Sequence, residues 1–203
     1  MEPLHGAMSA HNTWQLAVLC GPQGVGKSTL ATQLAQRHRA ALHHFDDYVM
    51  DLRATTDAVH YPNLHYRATY PDDVRHGHPQ FVDIRFRVAQ ELLPLASKLL
   101  KELSSRGRPA VLEGDYLMPP VQRPHSSSNI AWAVIVESDL NVVVSNLLAR
   151  EPDIPPQVKR ASTTLAVGSR LRSLAQQVSV PVVEATPHES AIDRLELALA
   201  CSR

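Results

Sequence analysis

The sequence is poor in cysteine and has no long run of apolar residues. Only Cys20 and Cys201 occur among 203 residues, near opposite ends of the chain. Cys20 falls in a predicted buried strand, so we interpret it as a small core residue in a reducing compartment. No basic amino-terminal region precedes an apolar stretch, and no apolar segment reaches the roughly 20 residues of a membrane span. We therefore expect a cytoplasmic protein without a membrane partner.

The chain also lacks an excess of charge of either sign. Lys and Arg number 20, as do Asp and Glu, so no overall field attracts a nucleic acid, and we expect no such partner. No repeat with a period of roughly 20–50 residues is present. The length and a hydrophobic fraction of 44% predict a single domain with a sizeable core. We assign it to residues 14–203, after a flexible extension at residues 1–13.

Several familiar catalytic and metal-binding patterns are missing as well. The chain contains no H-E-x-x-H motif, no Cys/His finger spacing and no G-x-S-x-G elbow. The histidines of His43-His44 and His76-x-His78 are therefore interpreted as surface or core residues. These absences argue against a zinc hydrolase and against a serine hydrolase.

One motif is present in full at residues 21–28, Gly-Pro-Gln-Gly-Val-Gly-Lys-Ser, which fits G-x-x-x-x-G-K-[ST]. An apolar run at residues 16–20 predicts a buried strand before it, and residues 29–39 predict a helix after it. In this setting glycines let several backbone N–H groups point at one anion, near the positive end of a helix. The pattern predicts a nucleoside triphosphate site with Mg²⁺, formed by Gly21, Gln23, Gly24, Val25, Gly26, Lys27, Ser28 and Thr29.

Carboxylates follow two further predicted strands. Residues 40–45 predict a second strand that ends in Asp46-Asp47, and residues 110–112 predict a third that runs into Glu113-Gly114-Asp115. Ligands of parallel sheets bind beyond the carboxyl ends of the strands. We therefore expect these carboxylates to face the same crevice as residues 21–28.

The remaining pattern predicts strands alternating with helices. A fourth strand at residues 130–137 is apolar throughout and expected to be central, and a fifth spans residues 180–184. Asp139 is a candidate helix cap, and Pro94 would kink or split the second predicted helix. The helices are predicted at residues 29–39, 84–105, 140–150, 158–178 and 190–200. This alternation predicts a three-layer α/β/α fold with a mostly parallel five-stranded sheet.

Together, a P-loop, a second strand ending in Asp-Asp, a third ending in Glu-Gly and a late arginine-rich helix resemble the P-loop small-molecule kinases. This group includes uridine-kinase-like, gluconate-kinase-like and 2-phosphoglycerate-kinase-like enzymes and antibiotic phosphotransferases. The segment Leu-Glu-Gly-Asp-Tyr-Leu-Met-Pro at residues 112–119 is most similar to the 2-phosphoglycerate-kinase-like branch. The resemblance covers nearly all of the chain after residue 14. An Asn-Lys-x-Asp guanine-reading motif is absent, which weakens a switch-type GTPase reading and leaves ATP and GTP both open.

The resemblance implies roles for the strand-end carboxylates and for arginines. Asp46 or Asp47, with Asp47 slightly favoured, would approach the acceptor hydroxyl, and Glu113 would hold Mg²⁺ together with Ser28. Lys27 would contact the β- and γ-phosphates. Arg150 and Arg160 flank a proline-rich break at residues 152–156 and would belong to a lid over about residues 150–172. Arg170 and Arg172 are weaker candidates for the same role.

The acceptor site is assigned to residues 48–83, which show no sustained periodicity. Its aromatic residues could stack on a ring, and its arginines could meet an anionic group. The candidate acceptor residues are Asp47, Tyr48, Tyr66, Arg67, Arg85 and Asp115.

We expect an enzyme that transfers the γ-phosphate of ATP or GTP to a hydroxyl of a small molecule. An arginine-rich, lysine-poor composition is typical of high-GC bacteria, which keeps phosphorylation of a nucleoside-type antibiotic among the acceptor hypotheses, beside a nucleoside and a phosphorylated sugar acid. The alternative is a regulatory P-loop NTPase or a nucleotide-dependent binding protein. Small P-loop kinases occur as monomers and dimers, so a homodimer stays open.

Overall fold

A computed structural model describes residues 14–70, 79–120, 129–154 and 157–201. The predicted extension at residues 1–13 and residues 71–78 of the predicted insert lie outside the described residues. The strands are β1 (Leu16–Cys20), β2 (Ala41–His44), β3 (Ala110–Gly114), β4 (Ile130–Val136) and β5 (Val182–Glu184). The helices are α1 (Lys27–His38), α2 (Phe45–Ala54), α3 (Tyr66–Thr69), α4 (Pro79–Glu91), α5 (Leu93–Ser105), α6 (Leu140–Arg150), α7 (Gln157–Gln177) and α8 (His188–Cys201).

The strands form one sheet in the order β2-β3-β1-β4-β5, and every pairing between them is parallel. The predicted five-stranded sheet is thereby confirmed. β1 occupies the middle of the sheet with all of its residues buried. β4, expected to be central, lies inside the sheet between β1 and β5. Because parallel neighbours cannot be joined by a tight hairpin, helices connect them.

Helices cover both faces of the sheet, which confirms the three-layer architecture. Successive side chains of a strand point to opposite faces. Leu16 and Val18 of β1 therefore pack in the core shared with α4, α5 and α7, whereas Ala17 and Leu19 pack in the core shared with α1 and α8. Burial on both faces explains why the interior strands are continuous apolar runs in the sequence.

The segment between β2 and β3 contains more helix than the sequence predicted. Residues 48–83 were expected to lack regular structure, but α2 extends to Ala54, α3 spans Tyr66–Thr69 and α4 begins at Pro79. The interpretation was wrong for α2 because its buried residues are only Phe45 and Val49, too few to show a helical period.

The predicted helix at residues 84–105 consists of α4 and α5, which meet at Leu92. Pro94 lies in the first turn of α5, where its missing N–H costs nothing, and it could not have continued α4. The cap at Asp139 is confirmed, because its carboxylate accepts a hydrogen bond of 2.7 Å from the backbone N–H of Asn141. In the part of the chain that the structure describes, no helix is long and apolar enough to cross a membrane.

Candidate functional site

Residues 21–28 connect the end of β1 to the start of α1. Gly24 and Gly26 have φ angles of +84° and +85°, which residues with a side chain rarely adopt, and α1 begins at Lys27. Gly21 lies so close to β4 that a Cβ atom there would be 2.4 Å from the carbonyl oxygen of Ile135. The glycines thus let the loop turn tightly over the amino-terminal end of α1, where backbone N–H groups favour an anion.

Helices α6 and α7 each donate a hydrogen bond to the backbone of this loop. The Thr164 hydroxyl of α7 donates a hydrogen bond of 2.9 Å to the carbonyl oxygen of Gln23. The Asn146 amide of α6 donates one of the same length to the carbonyl oxygen of Gly24. Because these bonds engage carbonyl oxygens, they restrain the loop without using its N–H groups.

The side chain of Lys27 is buried among strand-end carboxylates. Its ammonium group forms an ion pair with Glu113 and lies 3.2 Å from Oδ1 of Asp115. Oε1 of Glu113 also accepts a hydrogen bond of 3.0 Å from the Ser28 hydroxyl and lies 2.6 Å from Nδ1 of His44. Glu113 therefore joins residues from three separate strand ends in one cluster.

Strand register explains this convergence. His44, the last residue of β2, pairs with Glu113 across the β2–β3 ladder, and Leu19 pairs with the same residue across the β1–β3 ladder. Residues that follow β1, β2 and β3 consequently emerge side by side at one edge of the sheet. Lys27 of the P-loop thus meets Glu113 and Asp115 at this edge, whereas Asp47, expected at the same crevice, is exposed.

The local charges shift the pKa values of the clustered groups. Burial alone would raise the pKa of Glu113, but Lys27 and the hydrogen bonds to Glu113 hold it below its usual value. Burial would lower the pKa of Lys27, but the nearby carboxylates raise it. Both groups are therefore charged at neutral pH.

Asp46 has the opposite shift from Glu113. Burial, followed by the negative charge of Asp115, raises the pKa of Asp46 to about 6, against the opposing effect of Lys27. Asp47 is exposed. Adjacent positions in a helical turn point about 100° apart, which explains why only one of the two carboxylates faces the cluster. A pKa near neutrality suits a group that accepts a proton.

On the side of the site next to α4, Arg85 lies against Tyr116. Its guanidinium donates a hydrogen bond of 2.8 Å to the Tyr116 hydroxyl, lies 4.2 Å from the centre of that ring, and approaches Oδ2 of Asp115 at 3.6 Å. Tyr66 packs edge-on against Phe81 of α4. Arg85 therefore lies beside Asp115, the residue that also contacts Lys27.

A second arginine near Tyr116 has a buried donor atom that the described residues leave without a hydrogen-bond partner. Nε of Arg53 is buried without a hydrogen-bond partner among the described residues. Its charge acts on the Tyr116 hydroxyl, so the two side chains are near each other. Buried donors without a partner are rare in folded proteins.

The predicted lid arginines differ in environment. Arg160 of α7 is buried and forms an ion pair of 2.6 Å with Glu151, whereas the side chain of Arg150 is 61% exposed and lies 3.1 Å from the same carboxylate. The two weaker candidates form ion pairs with other residues: Arg170 pairs with Asp83, and Arg172 pairs with Glu184. Residues 155–156 of the predicted break lie outside the described residues.

A cavity of about 20 Å³ lies between the loop, α4 and α7. Gln23, Arg85 and Arg160 all line it, so both arginines reach the same space. This volume holds about one water molecule. The arrangement places two arginines beside the P-loop residue Gln23.

The donor set fits Mg²⁺. Ser28 and Glu113 present a hydroxyl and a carboxylate oxygen 3.0 Å apart beside the P-loop, and Mg²⁺ in such sites takes few protein oxygens and completes its shell with water and phosphate oxygens. Within the described ranges, no group of three or more His, Cys, Asp or Glu residues could hold a metal without such help.

Some predicted site residues lie away from this cluster, and others were missed. Tyr48 forms a hydrogen bond of 3.1 Å with Nδ1 of His43, and Arg67 is exposed. His44, interpreted as a surface or core residue, is partly exposed, and its ring also contacts Glu113. Its place as the last residue before Phe45-Asp46 is the signal that could have identified it. Glu151, which directly follows Arg150 in the sequence, was also missed.

A family model described as an AAA domain matches residues 16–162, more than half of the chain. The chain belongs to this AAA-domain family. The matched range includes the loop, all the strand-end carboxylates and both arginines that contact Glu151. No curated protein matches the sequence.

Comparison with solved structures describes the fold more closely. The chain is similar to a gluconokinase from Sinorhizobium meliloti 1021, with a TM-score of 0.55 and 15% identity over 93% of each chain. It is also similar to shikimate kinase from Acinetobacter baumannii in complex with shikimate, with a TM-score of 0.53 and 16% identity over 93% of this chain and 95% of that one. The chain has the P-loop kinase fold of these proteins.

Proposed function

We propose that the protein transfers the γ-phosphoryl group of a nucleoside triphosphate to a hydroxyl group of a small molecule. The convergence of Lys27, Glu113 and Asp46 at one sheet edge carries this proposal. A phosphotransferase needs a cation for the phosphates, a carboxylate for Mg²⁺ and a second carboxylate for the acceptor hydroxyl. Mg²⁺, when bound, would neutralise charge on the phosphate oxygens. Ser28 and Glu113 would hold it.

Each residue then has a defined task. Lys27 exchanges its contact with Glu113 for phosphate oxygens, and the loop N–H groups bind the same anion. Asp46 orients the acceptor hydroxyl and takes its proton as the new P–O bond forms. The sequence slightly favoured Asp47 for this role, but the burial and raised pKa of Asp46 support Asp46. Arg160 and Arg150 would stabilise charge on the transferred group.

For the acceptor, we propose a small hydroxylated molecule that carries an anionic group. Arg85 and the buried Nε of Arg53, which has no partner among the described residues, support this choice, since guanidinium groups pair with carboxylates or phosphates. Gluconokinase and shikimate kinase are named for hydroxylated acids, which is consistent with it. The balanced charge of the chain supports a small molecule over a nucleic acid. A neutral nucleoside or a nucleoside-type antibiotic is the competing acceptor class.

A transfer assay with an acceptor panel tests the proposal. The protein is incubated with Mg²⁺ and either ATP or GTP, together with gluconate, shikimate, a phosphorylated sugar acid, uridine or a nucleoside antibiotic. Nucleoside diphosphate release is measured alongside the mass of the acceptor. We expect diphosphate to appear in step with a phosphorylated acid, and Lys27→Met to abolish both signals. Slow hydrolysis that ignores every acceptor would instead favour the regulatory NTPase.

A further inference from the structure

The carboxylate of Glu151 collects three side-chain donors beside the P-loop. Its Oε2 accepts a hydrogen bond of 2.6 Å from Arg160, and its Oε1 lies 3.1 Å from Nε of Arg150 and 3.3 Å from Nε2 of Gln23. Gln23 belongs to the P-loop, Arg150 ends α6, and Arg160 lies in α7. One anionic group thus connects three elements that surround the phosphate site.

Arg160 explains why an anion is needed there. The residue is only 5% exposed, and among the described residues Glu151 is its ion-pair partner. Its guanidinium group also donates a hydrogen bond of 3.1 Å to Oε1 of Gln157. A buried guanidinium without a counter-charge is strongly unfavourable, so Arg160 requires a partner whether or not nucleotide is present.

The donors around Glu151 match those that bind phosphate. Two guanidinium groups and an amide, next to backbone N–H groups at a helix start, are the usual partners of phosphate oxygens. Arg160 also lines the small cavity together with Gln23, so it is already at the loop. Glu151 itself stays ionised: partial burial would raise its pKa, but Arg160 and then Arg150 hold it below its usual value.

We propose that Glu151 stands in for a phosphate group in the nucleotide-free protein and gives up Arg160 when the triphosphate binds. Glu151 is then a positioning residue that keeps Arg160 beside the loop and lowers nucleotide affinity through direct competition. This inference rests on the proposed function, since it takes residues 21–28 to bind a triphosphate. The alternative is a permanent brace, in which Glu151 keeps Arg160 in place after the nucleotide has bound.

The two cases predict opposite changes in the ATP affinity of Glu151→Gln. Glu151→Gln keeps the shape of the side chain and removes the competing charge. For a stand-in, Glu151→Gln should bind ATP about three- to tenfold more tightly, the range expected for losing a partly exposed ion pair. Adenosine, which has no phosphate, should bind both proteins equally. For a permanent brace, Glu151→Gln should bind ATP more weakly.

The experiment is calorimetric titration of the whole protein with ATP and Mg²⁺, and separately with adenosine. Glu102→Gln, which removes the charge of an exposed ion pair with Arg106 on α5, is the matched control and should leave ATP affinity unchanged. Repeating Glu151→Gln in an Arg160→Met background distinguishes the loss of this ion pair from a general reduction in negative charge. In that background the gain in ATP affinity should vanish. Arg150→Met gives a second background that alters an exposed residue, and there the gain should shrink.

Unchanged or weaker ATP binding by Glu151→Gln overturns the inference while the proposed function stands. A gain that persists in full in both arginine backgrounds also overturns it, because Glu151 would then act by charge alone. If the unaltered protein binds neither ATP nor GTP in the same titration, both the inference and the proposed function fail. Direct binding thus separates the two, since it needs no acceptor.

Discussion

Replacing Asp46 by asparagine should slow phosphoryl transfer by orders of magnitude and at the same time stabilise the fold. Asp46, Glu113 and Asp115 place three carboxylates near two cationic groups, Lys27 and Arg85, so the cluster has one negative charge in excess. Asparagine removes that excess while keeping the size of the side chain. It also removes the proton acceptor that we assign to the acceptor hydroxyl.

The size of the stabilisation follows from the pKa of Asp46. The folded protein raises this pKa from 3.8 to about 6, a shift of roughly two units. One unit corresponds to about 1.4 kcal/mol, so at pH 8 the charged carboxylate costs the fold at most about 3 kcal/mol. Because the pKa is raised on folding, this penalty is fully present above the folded pKa and disappears as the pH falls through 6 toward 4. Asp46→Asn should therefore gain stability at pH 8 and lose the advantage near pH 4.

Urea denaturation at pH 8, 6 and 4 without Mg²⁺ or nucleotide measures this difference in unfolding free energy. Initial rates with a saturating acceptor should fall by roughly 10²- to 10⁴-fold, the usual contribution of a positioned acid or base. Asp47→Asn is the matched control: Asp47 is exposed, and its substitution should change neither rate nor stability. Full activity of Asp46→Asn, or a comparable loss in Asp47→Asn, would refute the assignment. A stability difference independent of pH would refute the electrostatic argument.

Two further substitutions and one labelling experiment test other parts of the structure. Lys27→Met removes the cation that binds the phosphates, so calorimetry should detect no ATP binding. It also leaves buried carboxylates unpaired, so the free energy of unfolding measured in urea should fall by about 3 kcal/mol. An unchanged ATP affinity would contradict the assignment of this loop. Gly114→Ala places a Cβ atom 2.5 Å from Cβ of Phe45, so the melting transition should show about 1–3 kcal/mol of destabilisation, and a neutral effect would mean that α2 can shift. Cys20 is buried and its thiol pKa is raised, whereas Cys201 is exposed, so a thiol reagent should label only Cys201 until denaturant is added.

The most local features of the protein could be predicted accurately from its sequence. β1 spans Leu16–Cys20 and α6 spans Leu140–Arg150, both as expected, with Asp139 capping the helix. In each case the signal lies within a few neighbouring residues: an apolar run, a glycine pattern or a capping side chain. Such signals depend on backbone preferences and burial along one segment, so they survive without knowledge of the rest of the chain.

Choices that depend on orientation were harder to predict. The sequence favoured Asp47 over Asp46, because an aspartate pair at a strand end has no feature that separates its members. The sequence predicted a second strand that extends through Phe45 and no helix directly after it, whereas α2 begins at Phe45, and this determines which carboxylate faces the cluster. A change of one residue rotates a helical side chain by about 100°, so a small error in a boundary reverses the assignment.

The sequence by itself determined the P-loop, the alternation of strands and helices, and the strand ends at which the carboxylates stand. These follow from segments whose local pattern specifies their structure. Only the tertiary structure decided that Glu113 joins Lys27, Ser28 and His44, and that Glu151 meets Gln23, Arg150 and Arg160. The donors and acceptors in those two groups come from separate elements, and their meeting depends on strand register and helix packing. No local pattern carries that information.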